Sequence, residues 1–236
     1  MNEEMYDSRS VWDRTWRRHE AKPAWEYVFR KLQSLLDFAG KEILELGSGK
    51  GSLSYHALCA GAKRVTLVDF SAEALALARR VFADHPPEKI SYVEADLLSV
   101  DLGSNFDIVM SLGVVEHFRG EDLVRCVQQH AHHSRDAVAI CVPSDTYFNR
   151  RRSVDPRNIE LYGLQWPIHE RDMAELFRKA GLHVEYNRRF RNSFGFPILI
   201  RGRAPQRLQG AVLEQLLRPL EPRLGGLLLT IGRVRR

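Results

Sequence analysis

Apolar positions in this chain alternate between two rhythms. Short runs of aliphatic and β-branched residues, fit for strands buried on both faces, are separated by longer stretches with apolar residues three and four apart. The strand-type runs are residues 42–46, 65–69, 90–94, 106–110 and 136–142; the helical stretches are 51–60, 71–83, 120–133 and 169–180. Strands that alternate with helices need crossover connections, so the pattern predicts an α/β fold: a doubly wound, mostly parallel sheet with helices on both faces. Ser71 stands where it can cap the helix that follows, and Gly181 where it can end the helix before it. Residues 9–36 are helical in spacing, through Trp12, Trp16, Trp25, Val28, Phe29 and Leu32, and Pro23 should break them into two helices near Ala21 and Lys22.

After Gly181 the rhythm changes. Residues 182–189 alternate as a strand, a loop holds Phe194, Gly195, Phe196 and Pro197, a helix is expected near 206–218, and a last strand spans 226–233. Two closing strands without the earlier strand-helix-strand spacing suggest an antiparallel edge. Residues 143–168 form the longest stretch without regular pattern, too long for an ordinary connection and therefore a candidate substrate loop.

Composition narrows the class. With 236 residues, 44% of them hydrophobic, the chain can bury one substantial core, and a single domain over 1–236 is the expectation. The longest apolar run, around Leu227, Leu228, Leu229 and Ile231, is strand-sized, so no membrane span is expected. The amino terminus is acidic and polar, unlike a secretory signal, and a cytoplasmic location follows as the simplest reading. Cys59, Cys126 and Cys141 are far apart, without metal-ligand spacing, and read as reduced core residues. Charge is uneven: eleven arginines face only Glu214 and Glu221 between Arg188 and Arg236, while the whole chain carries +5. The arginines are dispersed rather than run together, which favours a solvated surface over a nucleic-acid or membrane partner.

The richest chemistry lies where Glu42, Ile43, Leu44, Glu45 and Leu46 run into Gly47, Ser48, Gly49, Lys50, Gly51 and Ser52. A buried strand, three alternating glycines and a helix make a pocket the backbone can approach closely. A dinucleotide fingerprint wants a third glycine or alanine where Ser52 stands. Downstream, one strand ends in Asp69 followed by Phe70, and another leads to Asp96 and Leu97. A third, from Phe106, runs through Leu112 to Glu116 and His117.

An acid before G-x-G-x-G, with these three segments in this order, resembles the class I S-adenosylmethionine (SAM) methyltransferases. The resemblance is close over about residues 40–142. It implies a seven-stranded Rossmann-like sheet whose last strand is reversed beside the sixth, with N-terminal helices over residues 1–38, including Tyr6, Trp12 and Trp16, as a lid. It further implies that Glu45 lies near the methionine amine and that Gly47, Gly49 and Gly51 let the backbone hug methionine and ribose. Asp69 would take the ribose diol, Phe70 the adenine face and Asp96 the adenine amino group, with Leu97 alongside and Leu112 facing the methionine. Free amides at the helix start would receive the methionine carboxylate.

The acceptor side is less sharply marked. Methyl transfer to oxygen needs a base near neutrality, and His117 at the mouth of the sheet is the candidate. The 143–168 loop offers Tyr147, Tyr162, Trp166 and His169 as substrate contacts, each of which can equally anchor the loop. His130, His132 and His133 resemble a metal cluster, but they sit at a predicted helix end with no acid nearby in sequence, so no metal is expected. The leading expectation is a methyltransferase acting on an oxygen or nitrogen of a small-molecule acceptor. Aminoalkyl transfer or cyclisation from the same SAM pocket and RNA methylation are the alternatives. No Asn/Asp-Pro-Pro-Tyr/Phe motif stands where Ser111, Leu112, Gly113 and Val114 lie, which argues against a nucleic-acid substrate.

Overall fold

The computed structural model describes residues 8–190 and 225–234. The helix expected near 206–218, the loop at 194–197 and Tyr6 lie outside the described residues. Seven strands, β1 (Glu42–Leu46), β2 (Arg64–Asp69), β3 (Ile90–Glu94), β4 (Phe106–Leu112), β5 (Ser134–Pro143), β6 (Leu182–Phe190) and β7 (Leu227–Val234), form one sheet in the order β3-β2-β1-β4-β5-β7-β6. The first five run parallel, and β7 is antiparallel to both β5 and β6. The reversed strand therefore lies inside the sheet, with β6 as its rim. Leu227, Leu228, Leu229, Thr230, Ile231 and Gly232 are all buried, as an interior strand requires.

Helices α1 (Ser8–Arg17), α2 (Glu26–Gln33), α3 (Ser52–Cys59), α4 (Ala72–Val81), α5 (Gly120–His132) and α8 (Glu170–Lys179) fall where the apolar spacing places them. The strand alternation divides the core into two layers. Ile43, Val65, Leu67, Ile108, Met110, Ala139 and Cys141 face α2, α3 and α4 through Phe29, Ala57 and Ala78. Leu44, Leu46, Val68, Val109, Val138 and Ile140 face α5 and α8 through Val127, Met173 and Phe177. Ser71 caps α4, its Oγ accepting from Ala74 N at 3.2 Å. Gly181, at φ +80°, follows the end of α8 in the left-handed conformation.

Two expectations change. Residues 143–168 carry two helices, α6 (Tyr147–Ser153) and α7 (Pro156–Tyr162), rather than an irregular loop. Each starts on a side-chain cap: Thr146 Oγ1 accepts from Asn149 N at 3.2 Å, and Asp155 Oδ1 from Arg157 N at 2.8 Å. Seven residues bury too little to show a periodic stripe; α6 buries none and α7 only Asn158. Cys59, expected in the core, is exposed at the end of α3, whereas Cys126 and Cys141 are buried.

His130 is fully buried and ties α5 to β4. Its Nδ1–H donates to the Cys126 carbonyl at 2.7 Å, and its Nε2 accepts from Ser111 Oγ at 2.9 Å. Burial depresses its pKa from 6.5 to about 4. The unfolded chain binds the proton more readily, so the stability this neutral imidazole contributes is present above pH 6.5 and lost as pH falls towards 4. Denaturant unfolding of His130→Gln between pH 7 and 4.5 should show a shallower loss of stability towards acid than the parent chain.

Candidate functional site

Parallel strands deliver their carboxyl ends to one edge of the sheet, and a cavity of about 950 Å³ opens there. Its walls include Glu45, Gly47, Gly49, Asp69, Phe70, Asp96, Leu97, Leu112 and His117, brought together from four strand ends. α1 supplies Arg9, Trp12, Thr15 and Trp16, and α7 supplies Tyr162. α1 is fastened by Asp13 to Ser71 Oγ (2.5 Å), Arg9 to Glu94 (3.2 Å) and Arg17 to Glu73 (3.0 Å). The expected N-terminal cover is thus in place.

The acids are held by backbone amides. Asp69 is buried between two turns: its Oδ2 accepts from Gly49 N at 2.7 Å and its Oδ1 from Ser71 N at 2.9 Å. Burial, opposed by those two bonds, lifts its pKa to about 6. A carboxylate has about four lone-pair sites, so two remain for the hydroxyls of a diol on the cavity side. Glu45 Oε2 accepts from Ser54 N at 2.9 Å, and burial lifts its pKa to about 7. Asp96 is exposed at the cavity rim, its Oδ1 accepting from Leu98 N at 2.9 Å. Phe70 carries Arg9 over its ring at 5.6 Å, and Leu97, next to Asp96 in sequence, is buried.

The three glycines do different work. All have positive φ, at +63°, +53° and +71°. Gly47 and Gly49 line the cavity, and they also admit protein: a Cβ there would lie 2.6 Å from Val114 and 2.3 Å from Trp16. Gly51 is absent from the cavity wall. A Cβ on it would meet Leu67 at 2.3 Å and Phe82 at 2.8 Å, so it serves the packing of α3 on β2 rather than a ligand. The amides of Gly49, Gly51 and Ser54 are donated to Asp69, the Ser48 carbonyl and Glu45, so at the start of α3 the Ser54 amide is already engaged.

His117 lies in the short 3-10 turn Val115–His117 after β4. Its Nδ1–H donates to the Leu164 carbonyl at 2.7 Å, and Trp12 meets its ring edge-on at 5.2 Å. Burial lowers its pKa to about 4, so the imidazole is neutral at pH 7 with Nε2 as an acceptor. Glu116 next to it also lines the cavity, and burial raises its carboxyl to about 8. Sequence reasoning paired Glu116 with His117 but gave it no role of its own; an acid in the apolar run from Ser111 to Phe118 was the available signal. Ser48, whose buried Oγ has no hydrogen-bond partner among the described residues, and Arg9 were missed as wall residues.

Three proposed acceptor contacts fall elsewhere. Tyr147 is 61% exposed on α6, beneath the Arg151 guanidinium at 6.0 Å. Trp166 packs under Arg119 at 5.0 Å and donates its backbone N–H to the Glu116 carbonyl. His169 caps α8, its Nδ1 accepting from Arg171 N at 3.1 Å. Of that group only Tyr162 reaches the cavity. Away from the site, Asp101 joins His132 and His133, with candidate ligand atoms within 4.8 Å of one another. Both nitrogens of His133 are engaged, however, with Gln129 O at 3.0 Å and Leu102 N at 3.3 Å.

Residues 43–136 match the family model described as a methyltransferase domain. A histone-arginine methyltransferase of Arabidopsis thaliana is 32% identical over 82 residues, 34% of this chain and 15% of that protein, so the chain spans about a sixth of that relative's length. Among solved structures, a Haloferax volcanii complex of the Trm112 methyltransferase activator with a methyltransferase aligns at TM-score 0.67 and 18% identity, covering 90% of each chain. Magnesium protoporphyrin IX methyltransferase from Synechocystis PCC 6803, with bound S-adenosylhomocysteine, aligns at TM-score 0.59 and 15% identity over 100% of this chain and 88% of that one. These likenesses establish the seven-stranded methyltransferase fold.

Gly51→Ala should destabilise the chain by about 2 kcal/mol or more, since it combines a positive φ with overpacking. Gly103→Ala, also at positive φ but with open space around it, should cost only about 1 kcal/mol. Paired denaturant titrations check the difference.

Proposed function

We propose, from the match of residues 43–136 to a methyltransferase domain, that the chain is a methyltransferase of the class I SAM type and transfers a methyl group from SAM to an oxygen or nitrogen of a small-molecule acceptor. The observation that carries the reading is one continuous cavity with the Asp69, Glu45 and Asp96 carboxylates on its wall together with His117. Asp69 would hold the ribose diol, Asp96 the adenine amino group and Glu45 the methionine amine, with Gly47 and Gly49 beneath and Phe70, Leu97 and Leu112 at the flanks. SAM supplies a methyl group on a positively charged sulfur; the protein's task is to hold a nucleophile in line behind it and to exclude water. At about 950 Å³ the cavity is at the upper end of the range for small-molecule sites, enough for donor and small acceptor together. α1 with Trp12 and Trp16 and α7 with Tyr162 wall it in, which suits a small acceptor better than a polymer strand. Of the basic 188–236 stretch, residues 191–224 and 235–236 lie outside the described residues. Among the described residues no helix is long and apolar enough to cross a membrane.

Incubation with labelled SAM and a metabolite extract, followed by identification of both products, tests the reading. Methyl transfer leaves S-adenosylhomocysteine, aminoalkyl transfer leaves methylthioadenosine, and label in RNA would point to a nucleic-acid acceptor. Asp69→Asn should weaken SAM binding about ten- to a hundredfold by calorimetry, through loss of a charged hydrogen-bond acceptor, while the circular dichroism spectrum is retained. Near-parental affinity would remove Asp69 from the ribose site.

A further inference from the structure

The side chains of Arg152, Asn158 and Gln165 form a chain of hydrogen bonds beside the cavity. Arg152 Nε donates to Asn158 Oδ1 at 2.8 Å, and Asn158 Nδ2 donates to Gln165 Oε1 at 3.1 Å. A guanidinium can only donate, so it fixes the orientation of the Asn158 amide, which in turn fixes that of Gln165. Asn158 is buried, whereas Arg152 is exposed and Gln165 partly exposed, and both of these line the cavity. What the chain leaves unengaged is donors. The two Nη groups of Arg152 and the Nε2 group of Gln165 have no partner among the described residues. The acids near Arg152 in sequence are committed elsewhere: Asp145 pairs with Arg150 at 2.7 Å, and Asp155 accepts from Arg157 N at 2.8 Å. Of the other cations on the cavity wall, Arg9 pairs with Glu94 at 3.2 Å, and Lys50 Nζ donates to the Glu20 carbonyl at 3.2 Å. The Arg152 guanidinium also lies over the Tyr162 ring at 5.8 Å, a second contact that restrains it.

Its place along the sheet separates this chain of side chains from the carboxylates proposed for the cofactor. Glu45, Asp69 and Asp96 belong to β1, β2 and the turn after β3, one half of the sheet edge. Gln165 is held over the turn after β4 from both sides: His117 Nδ1 donates to the Leu164 carbonyl at 2.7 Å, and Trp166 N donates to the Glu116 carbonyl at 2.8 Å. α6 is tied to the end of β5 by Asn149 Nδ2, which donates to the Ser144 carbonyl at 2.8 Å. β4 and β5 lie on the side of β1 away from β2 and β3. We propose that Arg152 and Gln165 form an anion subsite for the methyl acceptor, and that this acceptor is a small carboxylic acid bound through its carboxylate. The guanidinium fork matches the two carboxylate oxygens, and Gln165 offers a further N–H. One positive charge balances a monoanion. A phosphate dianion would bring a second negative charge to a cavity already walled by Glu45, Asp69 and Asp96. A solvated surface arginine needs no orienting partner, whereas here a buried amide sets the guanidinium in place. The inference rests on the methyl-transfer reading and narrows its acceptor.

Titration of the full chain, saturated with S-adenosylhomocysteine at pH 7, with sodium benzoate, benzamide and phenyl phosphate tests this. The Arg152 Nε–H magnetic resonance signal, identified by its absence in Arg152→Gln, reports contact with the guanidinium. Benzoate should shift that signal. Benzamide, of the same shape without the charge, should bind about tenfold or more weakly, and phenyl phosphate no more tightly than benzoate. Arg152→Gln should weaken benzoate binding about tenfold or more, as loss of a charged hydrogen-bond partner does, with S-adenosylhomocysteine affinity within about twofold of the parent. Asn158→Leu should weaken benzoate about threefold or more and leave benzamide unchanged, a difference that a merely structural role would not produce. No shift with benzoate, equal binding of benzoate and benzamide, or tighter binding of phenyl phosphate overturns the proposal. So does a matching loss of S-adenosylhomocysteine affinity in Arg152→Gln, which would assign the arginine to the cofactor's own carboxylate. Failure of S-adenosylhomocysteine to bind the parent chain would instead overturn the cofactor reading, and the benzoate titration repeated without it still decides the subsite.

Discussion

The carboxylate of Asp69 fastens two turns to each other at the carboxyl ends of β1 and β2. One oxygen holds the amide of Gly49 in the turn after β1, and the other holds Ser71 at the start of α4. Ser71 in turn caps α4 and binds Asp13 of α1, so one buried acid fixes the glycine turn, the second crossover and the covering helix. This is possible because β1 and β2 run parallel in register, Leu46 beside Val68, and end at the same level. The chain leaves β1 towards β2 on one side, while β4 flanks β1 on the other, and the crevice at such a reversal of strand order is where ligands of doubly wound folds collect.

Stability and ligand chemistry pull against each other at this edge. Glu45, Asp69 and Glu116 are all buried, and in each case desolvation is the main cause that raises the pKa. The two that hold backbone amides contribute to the fold as they wait for a ligand. The Glu116 side chain makes no such bond among the described residues. Between pH 4.5 and about 8 the folded chain binds this proton more readily than the unfolded chain, so the stabilising effect of the neutral acid fades as pH rises through 8, opposite in sign to His130.

Much of this architecture was legible in the chain. β1 and β3 fall on the expected residues, and the ends of α3, α4, α5 and α8 differ by one or two, because strands buried on both faces and helices with a long apolar stripe leave strong patterns. Asp69, Glu45 and Asp96 could be placed at the cavity since a residue that ends a parallel strand has only one edge of the sheet to occupy. The acceptor side obeyed no such rule. Tyr147, Trp166 and His169 sit on short helices and turns whose orientation depends on local caps, and a side chain on such an element can face solvent as readily as a cavity. Gly51 is ambiguous in sequence for a related reason: a glycine forced by a close approach reads the same whether the neighbour is a ligand or Leu67 and Phe82.

The placement of β7 carries a consequence for how the chain acquires its structure. Among the described residues β6 pairs with β7 alone, and β7 bridges it to β5 across the whole register from Ala137 and Leu182 to Pro143 and Phe190. During synthesis the first five strands can assemble while two sheet margins still wait, one along β5 and one along β6, until residues 227–234 arrive to fill both at once. Until then the open backbone of β5, rich in buried aliphatic residues, is a pairing surface for any other nascent strand. The eight residues of this late strand thus govern when the chain ceases to be prone to association with its neighbours on the ribosome.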